Sequence, residues 1–153
     1  MVVIIPAYQP DEKLYRLVLD LHEQTDYDLV IVDDGSDREC RELFVSLEPY
    51  AKVLKHAQNR GKGAALKTAL SYIYERYPAD EGIVTIDADG QHLPEDIIRV
   101  SKAWEAEPEK LVLGSRRFTG DVPFKSRAGN AITRFVFALS TGIKVFDTQT
   151  GLR

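Results

Sequence analysis

Short runs of β-branched and aliphatic residues recur along this chain, each followed by a turn former or an acid and then by residues at helical spacing. Val2–Ile5 runs into Pro6, and Leu29–Val32 ends on Asp33-Asp34-Gly35-Ser36. Lys52–Leu54 precedes Asn59-Arg60-Gly61-Lys62-Gly63, Ile83–Ile86 ends on Asp87-Ala88-Asp89-Gly90, and Leu111–Leu113 is a fifth run. Apolar runs this short, without polar alternation, suit strands buried on both faces. Between them, Pro10-Asp11-Glu12 opens a helix to about His22 that sets Leu14, Leu17, Val18 and Leu21 on one side. Glu39–Leu47 is a second helix. A third carries Ala65, Leu66, Ala69, Leu70 and Ile73 and is stopped by Pro78, and a fourth covers Glu95 to about Glu107. Strand alternating with helix at this pace dictates an α/β fold, a mostly parallel sheet with helices on both faces. After Gly114 the rhythm breaks: 115–126 reads as an arm, Ala128–Leu139 as a helix, and Val145-Phe146-Asp147 as a return to the sheet.

The 153 residues make one domain, with enough apolar sequence for a full core. A net charge of −4 gives no support for nucleic-acid binding. The charge is uneven, however. From Gly114 to Arg153 seven bases stand against two acids, a local +5 that should meet something anionic. The single Cys40 excludes an internal disulfide and fits a reducing, cytoplasmic compartment. Met1-Val-Val-Ile-Ile reads as a first strand rather than a signal peptide, and no run reaches the roughly 18–20 apolar residues of a membrane span. Gly151-Leu152-Arg153 carries no capping or tail signal, so a C-terminal continuation of this 1–153 domain is expected.

The strand end at 87–89 carries the sharpest chemical signal. Two carboxylates flank one small residue, no Lys or Arg occurs between Gly82 and Ile98, and Pro94-Glu95-Asp96 starts the next helix. In open α/β sheets ligands gather at the carboxyl ends of strands. An acidic pair there calls for a hard divalent cation shared with substrate phosphates, Mg²⁺ or Mn²⁺. An EF-hand would place Gly at the sixth and Glu at the twelfth position from Asp87, where this chain has His92 and Ile98. Aspartyl phosphatases carry their acidic pair after the first strand. Asp33-Asp34 is a second acidic strand end, and two readings stay open for it: a tight Asp-Gly turn, or a hydrogen-bonding partner for a base or ribose. Asn59–Gly63 lacks Walker spacing but could still approach a nucleotide through a helix start. His22, His56 and His92 form no metal or triad spacing, His56 reads as ordinary, and Cys40 has no partner that would make it a nucleophile.

Val3-Ile-Ile-Pro-Ala-Tyr8, Val32-Asp-Asp-Gly-Ser36, Asn59-Arg-Gly-Lys-Gly63 and Asp87-Ala-Asp-Gly-Gln-His92 stand in order at the ends of successive βα units. Together they resemble the family 2 glycosyltransferases, with their Rossmann-like nucleotide-diphospho-sugar transferase (GT-A) fold. Gly114-Ser-Arg116 and Asp147-Thr-Gln-Thr-Gly-Leu-Arg153 are similar to the branch containing dolichyl- and polyprenyl-phosphate sugar synthases. The resemblance implies that Pro6, Ala7, Tyr8, Asp33 and Asp34 line the base and ribose pocket, with Lys62 and Ala88 near the nucleotide. It implies that Asp87 and Asp89, completed by Gln91, hold Mg²⁺ or Mn²⁺ on the diphosphate of a UDP- or GDP-sugar. It also implies that Arg116, Arg127 and Arg134 meet the phosphate of a polyprenyl acceptor. Gln9 departs from the pattern, since many relatives carry Asn or Glu there.

The expected reaction is inverting displacement at the anomeric carbon, with Asp89, Arg116 and Asp147 as its catalytic residues. A hydroxyl acceptor would need a base, for which Asp147 is the candidate, whereas a lipid phosphate is already anionic and needs only positioning. One face of Ala128–Leu139, flanked by Arg127 and Arg134, is either core or a peripheral contact at the cytoplasmic face of a membrane. Transfer to a saccharide hydroxyl, and a nucleotide-sugar-binding domain without catalysis, remain as alternatives. A sugar-nucleotide pyrophosphorylase does not fit, because Pro6-Ala7-Tyr8 replaces the Gly-rich turn such an enzyme carries after its first strand.

Overall fold

A computed structural model describes residues 1–114 and Leu152. Four strands, β1 (Val2–Ala7), β2 (Asp28–Asp33), β3 (Lys52–Lys55) and β4 (Ile83–Thr85), form one sheet in the order β3-β2-β1-β4. Every pairing is parallel, with Val3 beside both Leu29 and Val84. The connecting helices are α1 (Glu12–Gln24), α2 (Arg41–Leu47, after a 3-10 turn at Arg38–Cys40), α3 (Lys62–Arg76) and α4 (Pro94–Ala106).

Val2, Val3, Ile4 and Ile5 are fully buried because β1 is central and both of its faces are covered. Val3, Ile5 and Ala7 belong to a core with Leu14, Leu17, Val18 and Leu21 of α1, Phe44 and Leu47 of α2, and Ile97 and Val100 of α4. Val2 and Ile4 face the other way, with Val30 and Val32, onto Ala65, Ala69 and Ile73 of α3. The apolar spacing in α1 is that of one helical face, and its N-cap Asp11 accepts the Lys13 N–H at 2.9 Å.

The strand order places a switch point in the sheet. From β1 the chain adds β2 and then β3 on one side, then crosses to lay β4 on the other side of β1. Crossovers that leave β1 in opposite directions open a crevice at the carboxyl ends of β1 and β4.

Two boundaries differ from the sequence expectation. The ladder of β4 ends at Thr85, although Ile86 N still donates to Ile4 O at 3.0 Å. Residues 111–113 form no strand. Leu111 is 79% exposed, and Gly114 N donates to Leu152 O at 3.0 Å rather than to the edge of β4. An apolar triplet can mark a strand only if a neighbouring edge receives it, and that information is not local. The helix expected at Ala128–Leu139 and the strand expected at 145–147 lie outside the described residues.

Candidate functional site at the switch point

The crevice is a cleft of about 320 Å³ whose lining includes Pro6, Tyr8, Lys13, Asp87, Ala88 and Asp89. Pro6 is the penultimate residue of β1 and Tyr8 lies just past its end, and the two carboxylates follow β4 directly after the buried Ile86. Tyr8, part of the lining, is 53% exposed. Ala7, by contrast, is buried in the core and does not reach the cleft. Lys13 brings a cation that the sequence reading passed over. Its aliphatic stem lies against Gly90, where an added Cβ would come within 2.9 Å of Lys13 Cβ.

Asp87 is the most heavily engaged carboxylate of the cleft. Lys62, the first residue of α3, donates its ammonium to Asp87 Oδ1, and His92 Nε2 faces Oδ2 from 3.9 Å. That separation is beyond hydrogen-bond reach, and the buried Nε2 finds no hydrogen-bond partner among the described residues. The His92 imidazole, and with it the Lys62 ammonium, hold the Asp87 carboxyl well below the usual carboxylate range, against partial burial. Asp89 Oδ1 accepts the Gln91 N–H at 3.0 Å, which turns the loop after the pair. Gln91 itself lines a neighbouring cavity of about 480 Å³, bounded also by His92, Arg99 and Leu113.

The donor set fits a hard divalent ion of partial protein coordination. Asp87 is ionised and both carboxylates line the cleft, while no group of three or more His, Cys, Asp or Glu among the described residues is placed to enclose a metal. Mg²⁺ in particular is bound through one or two carboxylates together with substrate phosphates. The Asp87–Asp89 pair in an open cleft, which Asp11 also lines, matches that mode better than an all-protein cage.

The second acidic pair is engaged within the protein. Asp33 is 2% exposed; its Oδ1 accepts the Ser36 N–H at 2.8 Å and its Oδ2 pairs with Lys55 at 3.4 Å. Asp34 is buried against His56 and receives the N–H groups of Arg60 and Gly61 at 3.0 and 2.8 Å. Burial opposes its charge, yet the His56 imidazole and those two N–H groups hold its carboxyl below the ordinary value. His56, read as ordinary from the sequence, is therefore a buried partner of a strand-end acid; no local spacing announces it. Gln9 sits at φ +50° and joins the β1 and β2 loops, donating its N–H to Ser36 Oγ at 3.0 Å and its amide to Asp37 Oδ2 at 2.6 Å. Burial, and then Asp33, Asp37 and Glu39, push the Cys40 thiol up, away from a reactive thiolate. Arg116, Arg127, Arg134 and Asp147 lie outside the described residues.

Residues 2–151 match the family described as glycosyl transferase family 2. The chain belongs to this family. Within it, the chain is 34% identical over 170 residues to the UDP-N-acetylglucosamine–dolichyl-phosphate N-acetylglucosaminyltransferase of Methanococcus voltae, covering 99% of this chain and 67% of that protein. It is 29% identical over 164 residues to the polyprenol monophosphomannose synthase of Mycolicibacterium smegmatis, covering 99% of this chain and 59% of that protein. The chain spans between 59% and 70% of the length of the first four such relatives. Among solved structures, residues 1–349 of S. aureus TarS superpose with a TM-score of 0.53 at 22% identity, over 70% of this chain and 32% of that one. That likeness concerns the fold, which for this family 2 chain is the GT-A type that its motifs suggested.

A pH response follows from the lowered carboxyls. Asp34 and Asp87 bind protons more readily in the unfolded chain, where their ordinary value is 3.8. Their contribution to stability is complete above that value and is lost as pH falls through the lower folded values. In an acid titration followed by far-ultraviolet circular dichroism, Asp34→Asn should show a shallower loss of stability below about pH 4 than the wild type. An equal slope would count against the role of Asp34.

Proposed function

We propose that this chain is the catalytic part of an inverting, metal-dependent glycosyltransferase, moving a sugar from a UDP- or GDP-sugar to a polyprenyl phosphate. The observation that carries the reading is the pair Asp87 and Asp89 facing one cleft at the switch point, with the Lys62 ammonium on Asp87. The dolichyl-phosphate and polyprenol names of the relatives support the acceptor class.

The base and ribose lie between Pro6 and Tyr8, whose exposed ring offers a stacking face. Asp87 and Asp89 would hold Mg²⁺ or Mn²⁺, which would supply positive charge to the departing diphosphate. Lys62 and Lys13 add cationic donors beside the same diphosphate, which needs them most as the sugar–phosphate bond breaks and negative charge gathers on the leaving group. The Lys62 ammonium, in direct contact with Asp87, and the His92 imidazole 3.9 Å away both favour the ionised carboxylate. An acceptor phosphate is already a nucleophilic anion at neutral pH, so arginines that orient it replace a general base. Arg116, Arg127 and Arg134 are proposed for that post, and Asp147 to orient an arginine or to serve as base. Among the described residues no helix is long and apolar enough to cross a membrane. Contact with the lipid acceptor is proposed as peripheral, at the cytoplasmic face, on the strength of the relatives' lipid-phosphate acceptors.

The test is a transfer assay with radiolabelled UDP- and GDP-sugars, offering either a detergent-solubilised polyprenyl phosphate or a free oligosaccharide. Label in the lipid fraction with one donor is expected. Label only in the saccharide, or release of free sugar alone, would reject the acceptor assignment.

A further inference from the structure

The Asn59–Lys62 loop is fastened to a row of three side chains, the buried Asp34 and His56 and the half-buried Thr68, none of which lines the cleft. Asp34 and His56 are 3% and 6% exposed. Asp34 Oδ1 meets His56 Nδ1 at 2.7 Å, and His56 Nε2 meets Thr68 Oγ1 at 2.8 Å. An ionised carboxylate only accepts, so Nδ1 carries a proton, and in the neutral ring the Thr68 hydroxyl donates to Nε2. The same carboxylate takes the Arg60 N–H on Oδ1, beside His56, and the Gly61 N–H on Oδ2, and Gly61 N also reaches Asn59 Oδ1 at 2.9 Å. Gly61, at φ +87°, is the N-cap of α3, and Lys62 is the first residue of that helix.

The row therefore ties α3 to the end of β2 at two places. One is the loop that enters the helix; the other is Thr68, six residues on, or about 9 Å along the axis. A single attachment would let the helix start pivot. Two attachments to one carboxylate set where α3 begins, and so where the Lys62 stem departs toward Asp87 on the far side of β1. The need for a fixed start is plain in the geometry: Lys62 is half exposed, and a flexible four-carbon stem places its ammonium only as well as its Cα is placed.

We propose that His56 and Thr68 are positioning residues for donor binding, which through Asp34 set the start of α3 and thereby hold the Lys62 ammonium at Asp87. The inference rests on the reading of the cleft as a nucleotide-sugar site. Neither residue touches the donor; both act through Lys62.

The experiment compares Thr68→Val, which loses the hydroxyl, with Thr68→Ser, which keeps it, each in the wild-type and Lys62→Met backgrounds. Affinity for UDP and for GDP with Mn²⁺ is measured by calorimetry, and amide hydrogen exchange at Arg60 and Gly61 is followed without ligand. Thr68→Val is expected to weaken nucleotide affinity about three- to tenfold, the effect of one lost hydrogen bond, and to speed exchange at both amides. Thr68→Ser should restore both within about twofold, and in the Lys62→Met background Thr68→Val should weaken binding no further. Unchanged exchange in Thr68→Val, or the same loss of affinity in both backgrounds, would overturn the proposal. If the wild type binds neither nucleotide, the reading of the cleft fails, while the exchange rates still decide whether the row holds the loop.

Discussion

Asp87→Asn is expected to lower the rate of sugar transfer at saturating donor by about 100-fold or more while leaving the fold intact. The substitution keeps the size of the side chain and one acceptor oxygen but removes the charge around which the cleft is arranged. Three consequences follow together. The proposed cation site loses one of its two carboxylates, the Lys62 ammonium loses its anionic partner, and His92 no longer faces a charge. Removing one preorganised group aimed at developing charge typically costs two to three orders of magnitude in rate. Initial rates with radiolabelled donor, alongside a thermal melt to show that the protein is folded, check the prediction. A variant retaining more than about a tenth of wild-type activity would mean that Asp87 is not the anchor of the diphosphate.

The largest effect on stability is expected at Gly35. It lies at φ +74°, and a Cβ there would sit 2.2 Å from the carbonyl carbon of Gln58 and 2.4 Å from Asn59 N. Those neighbours are backbone atoms of a loop that Asp34 holds through Arg60 and Gly61, so relief means moving the loop itself. Gly35→Ala should therefore lose about 4 kcal/mol or more, the range reserved for severe clashes and strain. Gly61 offers the contrast. Its φ of +87° and ψ of 155° lie in a region that only glycine adopts freely, but an added Cβ meets nothing within 4 Å, so Gly61→Ala should cost only the backbone strain of about 1–3 kcal/mol. Urea midpoints of the two variants separate the cases, and equal losses would show that the approach of the two loops is not the limiting contact.

The architecture was largely legible in the sequence, because strands buried on both faces must be short and apolar and their ends must carry the turns. Val2–Ile5, Leu29–Val32 and the helical spacing of Leu14, Leu17, Val18 and Leu21 needed nothing beyond local pattern. Leu111–Leu113 had the same local look and forms no strand, since pairing depends on an edge elsewhere in the chain. The cleft divided in the same way. Asp87 and Asp89 could be read as ligands because a carboxylate pair at a strand end is chemically explicit. Asp34 could be read as a turn residue or as a partner for a base or ribose, whereas its burial against His56 and the N–H groups of a loop about 26 residues away is a tertiary fact. Lys62 could be placed near the nucleotide but not paired with Asp87, which lies 25 positions further on. Lys13 was passed over because its approach to Gly90 depends on how α1 leaves the end of β1.

The central claim is that the carboxylates at the end of β4 hold a divalent ion on the diphosphate of an activated sugar. Its most direct test is calorimetric titration of UDP and GDP into the wild type and into Asp87→Asn, each with Mn²⁺ and with EDTA. Binding of one nucleotide to the wild type with Mn²⁺ is predicted, weakened at least about tenfold by EDTA or by Asp87→Asn. Equal affinity in all four conditions would contradict the claim.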